Sequence, residues 1–439
     1  MAIVLTLGEK IKEIRKAKGL SQDNLAYAAG CSASVISRIE SGETGCSDEM
    51  LVIIKKYMDI ENAPLFEHEL VAYRNKLLAW DELITNRFKN ESHVMQSELS
   101  VILAVPFERD MCLLYSMIEA RMLFMDRNFA AVEERLDAAE SFLDDASLEV
   151  RYLFYRNKSL LYTVAHNHKM KVKYLLLALE LSNNDLKPDM MIFTSLGHGY
   201  YELGKPARAI SYFERAIAGF GNNRTNKELL VTKLELSKCY MFMGELDKAK
   251  KLVASALDQT QSISSEDYHY YYVFALTSIS RINLASGRAE EGLKFAKQAI
   301  ENLASIKNSY FYTRISPEVY IAKALCLLET KRILDYKNIV EQGIAMVKER
   351  DRQDKYTVIF EALANLTTLR DSSSIDYIEN IAIPHLRACG ETSANDMALT
   401  LCEKLEAHYR KRGADKKANA IAVVSRDIYK DRIRDVDCL

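Results

Sequence analysis

Residues 19–43 read Gly19-Leu-Ser-Gln-Asp-Asn-Leu-Ala-Tyr-Ala-Ala-Gly-Cys-Ser-Ala-Ser-Val-Ile-Ser-Arg-Ile-Glu-Ser-Gly-Glu43. Gly30 divides this run into two short helical segments. Ser21 precedes a segment over 22–29 whose Leu25 and Ala26 share one face, and Asp23 lies in its first turn, where a negative charge favours a helix. Gly30 is a left-handed stop. Ser32 then caps a segment in which Val35, Ile36 and Ile39 recur at helical spacing and face inward, leaving Ala33, Ser34, Ser37 and Arg38 outward until Gly42 ends it. Upstream, Leu7, Ile11 and Ile14 predict a helix over 7–18 that Gly19 terminates. Two short helices joined by a glycine-containing turn form a helix-turn-helix, the unit that lays its second helix in the DNA major groove.

Residues 7–60 resemble the helix-turn-helix of the lambda and 434 repressor class, also called the XRE class, through Leu-Ser-Gln at 20–22, Ile-Ser-Arg-Ile-Glu at 36–40 and Ser-Gly at 41–42. By position the resemblance implies that Gln22 touches the DNA backbone or a base edge. It places Ala33, Ser34 and Arg38, with Ser37 on the same face, where that class reads bases, and it implies that Arg15 and Glu40 tie the first helix to the third. Ala33 and Ser34 are shorter than the glutamine pair of some relatives, offering only a methyl and a hydroxyl. Lys and Arg at 10, 12, 15, 16, 18, 38, 55 and 56 balance acids at 9, 13, 23, 40, 43, 48, 49 and 59, so the region is neutral. Five of the cations fall on or just after the first helix, which permits a local phosphate-facing patch and predicts a modest salt dependence.

At 439 residues, 49% hydrophobic and 27% charged, the chain exceeds one ordinary domain and has the composition of a folded protein. A net charge of -2 excludes a protein that coats nucleic acid or an anionic membrane with its whole surface. Eight scattered cysteines, none in a Cys-x-x-Cys pair, read as reduced thiols of a cytoplasmic protein. Neither a signal peptide nor a membrane span is expected.

Asn62-Ala63-Pro64 marks a boundary, because proline disfavours helix at the residue before it. Helices over 65–80 and 97–105 follow as a linker, the second punctuated by Pro106. The expected division is a DNA-binding domain at 1–60, a helical linker at 61–110 and a repeat domain at 111–439. No glycine occurs between Cys46 and Leu196, which fits closely spaced helices rather than hairpins. Residues 193–220 place Leu196, Gly197 and Tyr200 on one helix, Gly204 in a turn, and Ala209, Phe213 and Ala216 on the next. Leu236, Ser237, Tyr240, Gly244, Ala249, Val253 and Ala256 repeat those offsets. This is the tetratricopeptide pattern, in which small residues let paired helices approach. Weaker copies anchor on Ala138, Ala178, Ala299 and Gly343, at intervals of 40, 38, 40, 43 and 44 residues through Ala216 and Ala256. Residues 384–388 and 409–425 complete the array, with a capping helix over 416–429. The fold class is all-α, a helix-turn-helix followed by a right-handed helical solenoid.

A DNA reader followed by helical repeats resembles the RRNPP family of peptide-responsive regulators, which includes the Rap, Rgg, NprR, PlcR and PrgX groups. The resemblance implies a bacterial transcription factor, usually dimeric, whose repeat groove takes up a short secreted signalling peptide and thereby alters binding to a double-stranded operator. It also implies an asparagine holding the peptide backbone, since an amide both donates and accepts. Asn157, in Tyr155-Arg-Asn-Lys-Ser-Leu-Leu-Tyr162, best matches that pattern, with Arg156 as partner for a peptide carboxylate and Asn365 as a second candidate. Tyr201, Lys238 and Arg281 follow from inward helical position alone, and for all six the alternative is a polar residue of the array itself. The aromatic run Tyr268, Tyr270, Tyr271, Tyr272 and Phe274 reads as repeat packing or a pocket lining.

Two motifs are decoys. Residues 199–205 match Gly-x-x-x-x-Gly-Lys, but Pro206 replaces the hydroxyl residue of a phosphate loop and no strand precedes it. His166 and His168 are two apart, off one helical face, which argues against zinc. No nucleophile elbow or oxyanion glycine is present. No metal, cofactor or catalytic activity is therefore expected. The alternative to a peptide-gated regulator is an adaptor, as resemblance to the Rap group implies, whose repeats capture a response regulator or other protein.

Overall fold

The computed structural model describes residues 6–61, 65, 67–85, 88–102, 109–182, 190–221, 227–261, 265–307, 310–348 and 355–434. These divide into two compact units, Met1–Pro188 and Asp189–Leu439, so the division falls inside the stretch read as repeats. Among the described residues there is no strand. The boundary tripeptide Asn62-Ala63-Pro64 and Pro106 lie outside them.

The first unit opens with α1 (Leu7–Ala17), α2 (Gln22–Ala29), α3 (Ala33–Glu40) and α4 (Asp48–Tyr57). Thr6 and Glu9 start α1 with a reciprocal capping box, and Ser21 does the same for α2 with Asn24. Gly30 takes the left-handed conformation at φ 65°. Ser32 has the extended backbone of a cap, but its side chain makes no capping bond, so α3 is held by burial of Ile36 and Ile39 rather than by its first residue. Gly8 lets α1 meet the end of α3: a Cβ there would sit 1.9 Å from the Ile39 carbonyl oxygen. Then come α5 (Glu67–Thr85), α6 (Lys89–Ile102), α7 (Arg109–Met125), α8 (Phe129–Glu140), α9 (Leu148–Val164) and α10 (His168–Ser182). The two predicted linker helices thus exist but are displaced in register. Trp80, fully buried on α5, packs against Tyr115 of α7 at 5.1 Å between ring centroids.

The second unit pairs α11 (Met190–Glu202) with α12 (Pro206–Phe220), α13 (Lys227–Phe242) with α14 (Leu246–Thr260), α15 (Ser265–Ala285) with α16 (Ala289–Leu303) and α17 (Tyr310–Glu329) with α18 (Ile333–Lys348). After α19 (Lys355–Asn365) and α20 (Ser372–Asp376), a π-helical turn leads into α21 (Ile383–Ala388), and α22 (Thr392–Lys411) and α23 (Asp415–Arg434) close the unit. Residues 409–425 therefore straddle the α22–α23 turn, where Gly413 supplies a positive φ. Ala209, Phe213, Ala216, Ala249, Val253, Ala256, Ala178 and Ala299 are all fully buried, as the repeat pattern requires. One anchor slips. Ala138 faces solvent and Ala139, one residue on, is the buried position of its helix. Glycine-to-aromatic packing between helices occurs twice: a Cβ on Gly197 of α11 would meet the Phe213 ring at 2.7 Å, and one on Gly343 of α18 the Phe360 ring at 2.2 Å.

Candidate nucleic-acid interface and repeat lumen

In the helix-turn-helix, Arg15 and Glu40 pair as the resemblance implied. The guanidinium donates from Nε to Oε1 at 2.6 Å and from a terminal nitrogen to Oε2 at 2.9 Å, and it also reaches the Leu20 carbonyl at 2.8 Å. Gln22 joins them by donating its amide to Glu40 Oε2 at 2.9 Å. Burial raises the Glu40 carboxyl, but hydrogen bonds from Arg15 and Gln22 outweigh it and hold the group below its ordinary range. Ser34, Ser37 and Arg38 project from α3 into solvent and Ala33 is half-buried, so the four share the outward face. Gln22 stands apart from them, its amide turned inward to the clamp. Of the five cations assigned to a phosphate patch, Lys10 and Arg15 are buried, leaving Lys12, Lys16 and Lys18 with exposed surface. The patch is smaller than composition implied because Arg15 is taken up by Glu40 and Lys10 is buried.

In the second unit, three residues chosen on helical position alone come together. Lys238 of α13 places Nζ 5.6 Å over the Tyr201 ring of α11 and 5.4 Å over the Phe274 ring of α15, and pairs with Glu235 at 2.6 Å. Arg281 of α15 pairs with Glu318 of α17 at 3.2 Å, and the Tyr356 hydroxyl of α19 donates to the other Glu318 oxygen at 3.0 Å. Asp396 of α22 acts electrostatically on Arg281 and Tyr201. Six helices, α11, α13, α15, α17, α19 and α22, thus each contribute one polar or aromatic side chain: Tyr201, Lys238, Arg281, Glu318, Tyr356 and Asp396. The row closes on itself. The Thr392 N–H at the start of α22 donates to Glu202 of α11 at 3.2 Å, its hydroxyl donates to the Tyr201 carbonyl, and Lys355 binds Glu391 and, at 2.8 Å, Ser393.

These side chains lie on the face that the helices share, the lumen side of the array, where Tyr201 and Thr392 are buried. Arg281 and Glu318 are ringed by protein, yet each keeps 26% of its side chain exposed. Burial works to raise Glu318, but the charges of Arg281 and Lys355 and the Tyr356 hydrogen bond keep its carboxyl below the usual range. Burial and the neighbouring Glu318 push the Tyr356 hydroxyl well above its own. At neutral pH the lumen therefore presents fixed cations, fixed anions and neutral phenols side by side, a lining suited to an extended polar chain.

The remaining sequence candidates lie elsewhere. Asn157 on α9, in the first unit, is 1% exposed and donates to the Met117 carbonyl at 2.8 Å, and Arg156 beside it is half-buried. Asn365 ends α19, its amide bonded to the Glu361 carbonyl of its own helix at 2.9 Å. In the aromatic run, Tyr270 and Tyr271 are core residues, while Phe274 reaches the lumen through Lys238. Sequence reasoning missed Glu318, Tyr356, Lys355 and the Glu391–Thr392 closure. A usable signal existed: Arg281–Glu318 and Glu318–Tyr356 are separated by 37 and 38 residues, one repeat each.

Residues 6–57 match the family model described as a helix-turn-helix domain, and residues 200–270 match that of the tetratricopeptide repeat. The chain therefore joins a helix-turn-helix domain to tetratricopeptide-type helical repeats. Regulatory protein RapG of Bacillus subtilis (strain 168) is 21% identical over 171 residues, 38% of this chain and 45% of that relative, so the match spans under half of the relative's length. Among solved structures, the apo form of the quorum sensor NprR from B. thuringiensis superposes with a TM-score of 0.66 at 17% identity over 81% of this chain and 98% of that one. A Rap protein complexed with Competence and Sporulation Factor gives 0.68 at 14%, over 82% and 99%. Aspartyl phosphate phosphatase F from Bacillus subtilis gives 0.53 at 15%, over 81% and 94%. At these identities the likeness establishes the fold. No helix among the described residues is long and apolar enough to cross a membrane.

Proposed function

We propose that the chain is a peptide-responsive transcriptional regulator of the cell interior. A dimer presents two copies of α3 to half-sites of a double-stranded operator, because one short helix reads too few bases to be specific. The repeat lumen binds a short signalling peptide, and the peptide's unequal affinity for two dimer states changes DNA binding. The observation that carries this reading is the linked row of Tyr201, Lys238, Arg281, Glu318, Tyr356 and Asp396, from six different helices, in which Arg281 and Glu318 keep part of their side chains exposed. Asn365 is a secondary peptide contact in this proposal, Asn157 and Arg156 are candidates for a separate contact within the first unit by itself, and no catalytic step is assigned to the chain.

Two assays test it. Footprinting of the full chain on DNA flanking its own gene, beside a Ser34→Ala, Arg38→Ala double variant, is expected to give a protected inverted repeat that the variant loses. Affinity selection of short peptides from a randomised synthetic library is expected to enrich sequences that Arg281→Ala and Lys238→Ala no longer retain and that Asn157→Ala holds more weakly. Peptides retained equally by all of these variants would remove the lumen assignment. The likeness to RapG and to a phosphatase of the Rap group supports a second reading, an adaptor whose repeats capture a response regulator. Under that reading the Ser34, Arg38 double variant leaves partner capture intact.

A further inference from the structure

The end of α3 is built around one backbone oxygen. The Arg38 carbonyl accepts from the Glu43 N–H at 2.9 Å, the Thr44 N–H at 3.1 Å and the Ser41 hydroxyl at 3.1 Å. Gly42, at φ 76°, supplies the left-handed residue that this reversal needs. Position 43 is thereby held beside Arg38 by the main chain, and the Glu43 carboxylate lies 3.9 Å from Arg38 Nε, with the two side chains 68% and 55% exposed. An ion pair this exposed adds little to stability. Its consequence is orientation. A carboxylate on the Nε side leaves the two terminal nitrogens of the guanidinium pointing away as a fork. The same carboxylate offsets the arginine's charge, which weakens its pull toward phosphates. Arg38 is the one cation on α3, and the other side chains on that face, Ala33, Ser34 and Ser37, are too short to compete with it for a base edge.

We infer that Arg38 reads a guanine in each half-site, its fork donating to O6 and N7, and that Glu43 is the positioning residue that aims it. Guanine is the base whose major-groove edge offers two adjacent acceptors, and the bidentate arginine contact is the geometry that matches it. This inference rests on the DNA-binding reading above.

The test is selection of a randomised duplex pool by the purified full chain, followed by binding measurements on the enriched duplexes and their single-base variants. The expected result is a G·C pair at one position of each half-site, with Arg38→Ala lowering discrimination at that position about 5- to 150-fold and leaving the other positions unchanged. Glu43→Gln is expected to lower discrimination at the same position while raising affinity for all duplexes, with helix content unaltered. Glu43→Asp, which keeps the charge, is expected to restore part of the discrimination. Enriched duplexes whose preferences survive Arg38→Ala overturn the guanine assignment and leave the DNA-binding reading standing. Loss of the preference in Arg38→Ala but not in Glu43→Gln overturns the positioning role. No enrichment by the wild-type chain overturns the DNA-binding reading and the inference with it.

Discussion

The helix-turn-helix and the repeat lumen each carry an arginine–glutamate pair, and the two pairs are built for different ends. In the first, Arg15 and Glu40 keep 10% and 2% of their side chains exposed, and Gln22 and the Leu20 carbonyl satisfy remaining hydrogen-bonding capacity. In the second, Arg281 and Glu318 are each 26% exposed, with Tyr356 as partner to one and solvent open to both. A closed pair is a brace, because neither charge can leave without stranding the other in a dry site. An open pair can exchange partners at low cost, which suits a surface that receives a ligand. The glycines do not divide by region. Gly8 is pressed against a backbone carbonyl, whereas Gly197 and Gly343 are pressed against aromatic rings, but Gly292 in the repeats is also pressed against a backbone carbonyl, that of Ser280.

The largest effect that would break this comparison is on the brace. Glu40→Ala leaves Arg15 unpaired and is expected to destabilise the helix-turn-helix by about 4 kcal/mol, seen as accelerated hydrogen exchange over residues 7–60 in the intact chain. Exchange unchanged there would mean the pair is not a brace. Gly8→Ala drives a methyl into the Ile39 carbonyl, which cannot turn aside, and an expected loss of about 3 kcal/mol should appear in the same exchange profile. Gly197→Ala meets a ring that can rotate, so about 1 kcal/mol is expected from denaturant unfolding; a loss equal to that of Gly8→Ala would erase the distinction between backbone and side-chain contact.

The smallest effect is on pH dependence. Glu40 and Glu318 are both held below the ordinary value of 4.5, so each contributes stability that is present above that value and lost as pH falls through its folded one. Replacing Glu318 by Gln should flatten acid unfolding only slightly, by under about 1 kcal/mol because solvent screens the pair. Replacing Glu40 by Gln should flatten it more. Acid titrations of the two variants followed by circular dichroism compare them directly, and the reverse order would contradict the brace-and-port distinction.

Legibility in the sequence follows the range of the interactions. Helices α1 to α3 could be placed from caps, glycines and apolar spacing because each depends on residues within one or two turns, whereas α4 was not placed. The Arg15–Glu40 pair, 25 residues apart, came from the family resemblance and not from any local pattern. In the repeats, Ala209, Phe213 and Ala216 were found because helical period and repeat period coincide. The slip from Ala138 to Ala139 arose where two adjacent alanines offered the same local pattern. Only packing against the neighbouring helix separates them.

The sequence by itself determined that the chain is all-α, that a helix-turn-helix precedes an array of paired helices, and that Ser34, Ser37 and Arg38 face outward. Each of these depends on periodicity and capping along a continuous stretch. Tertiary structure alone decided that Lys10 is withdrawn from the phosphate-facing surface, that Asn157 is bonded inside the first unit, and that Tyr201, Lys238 and Arg281 join a row with Glu318 and Tyr356. The physical reason is that a solenoid brings together residues a full repeat apart, through curvature accumulated over many small helix-to-helix rotations that no local pattern records.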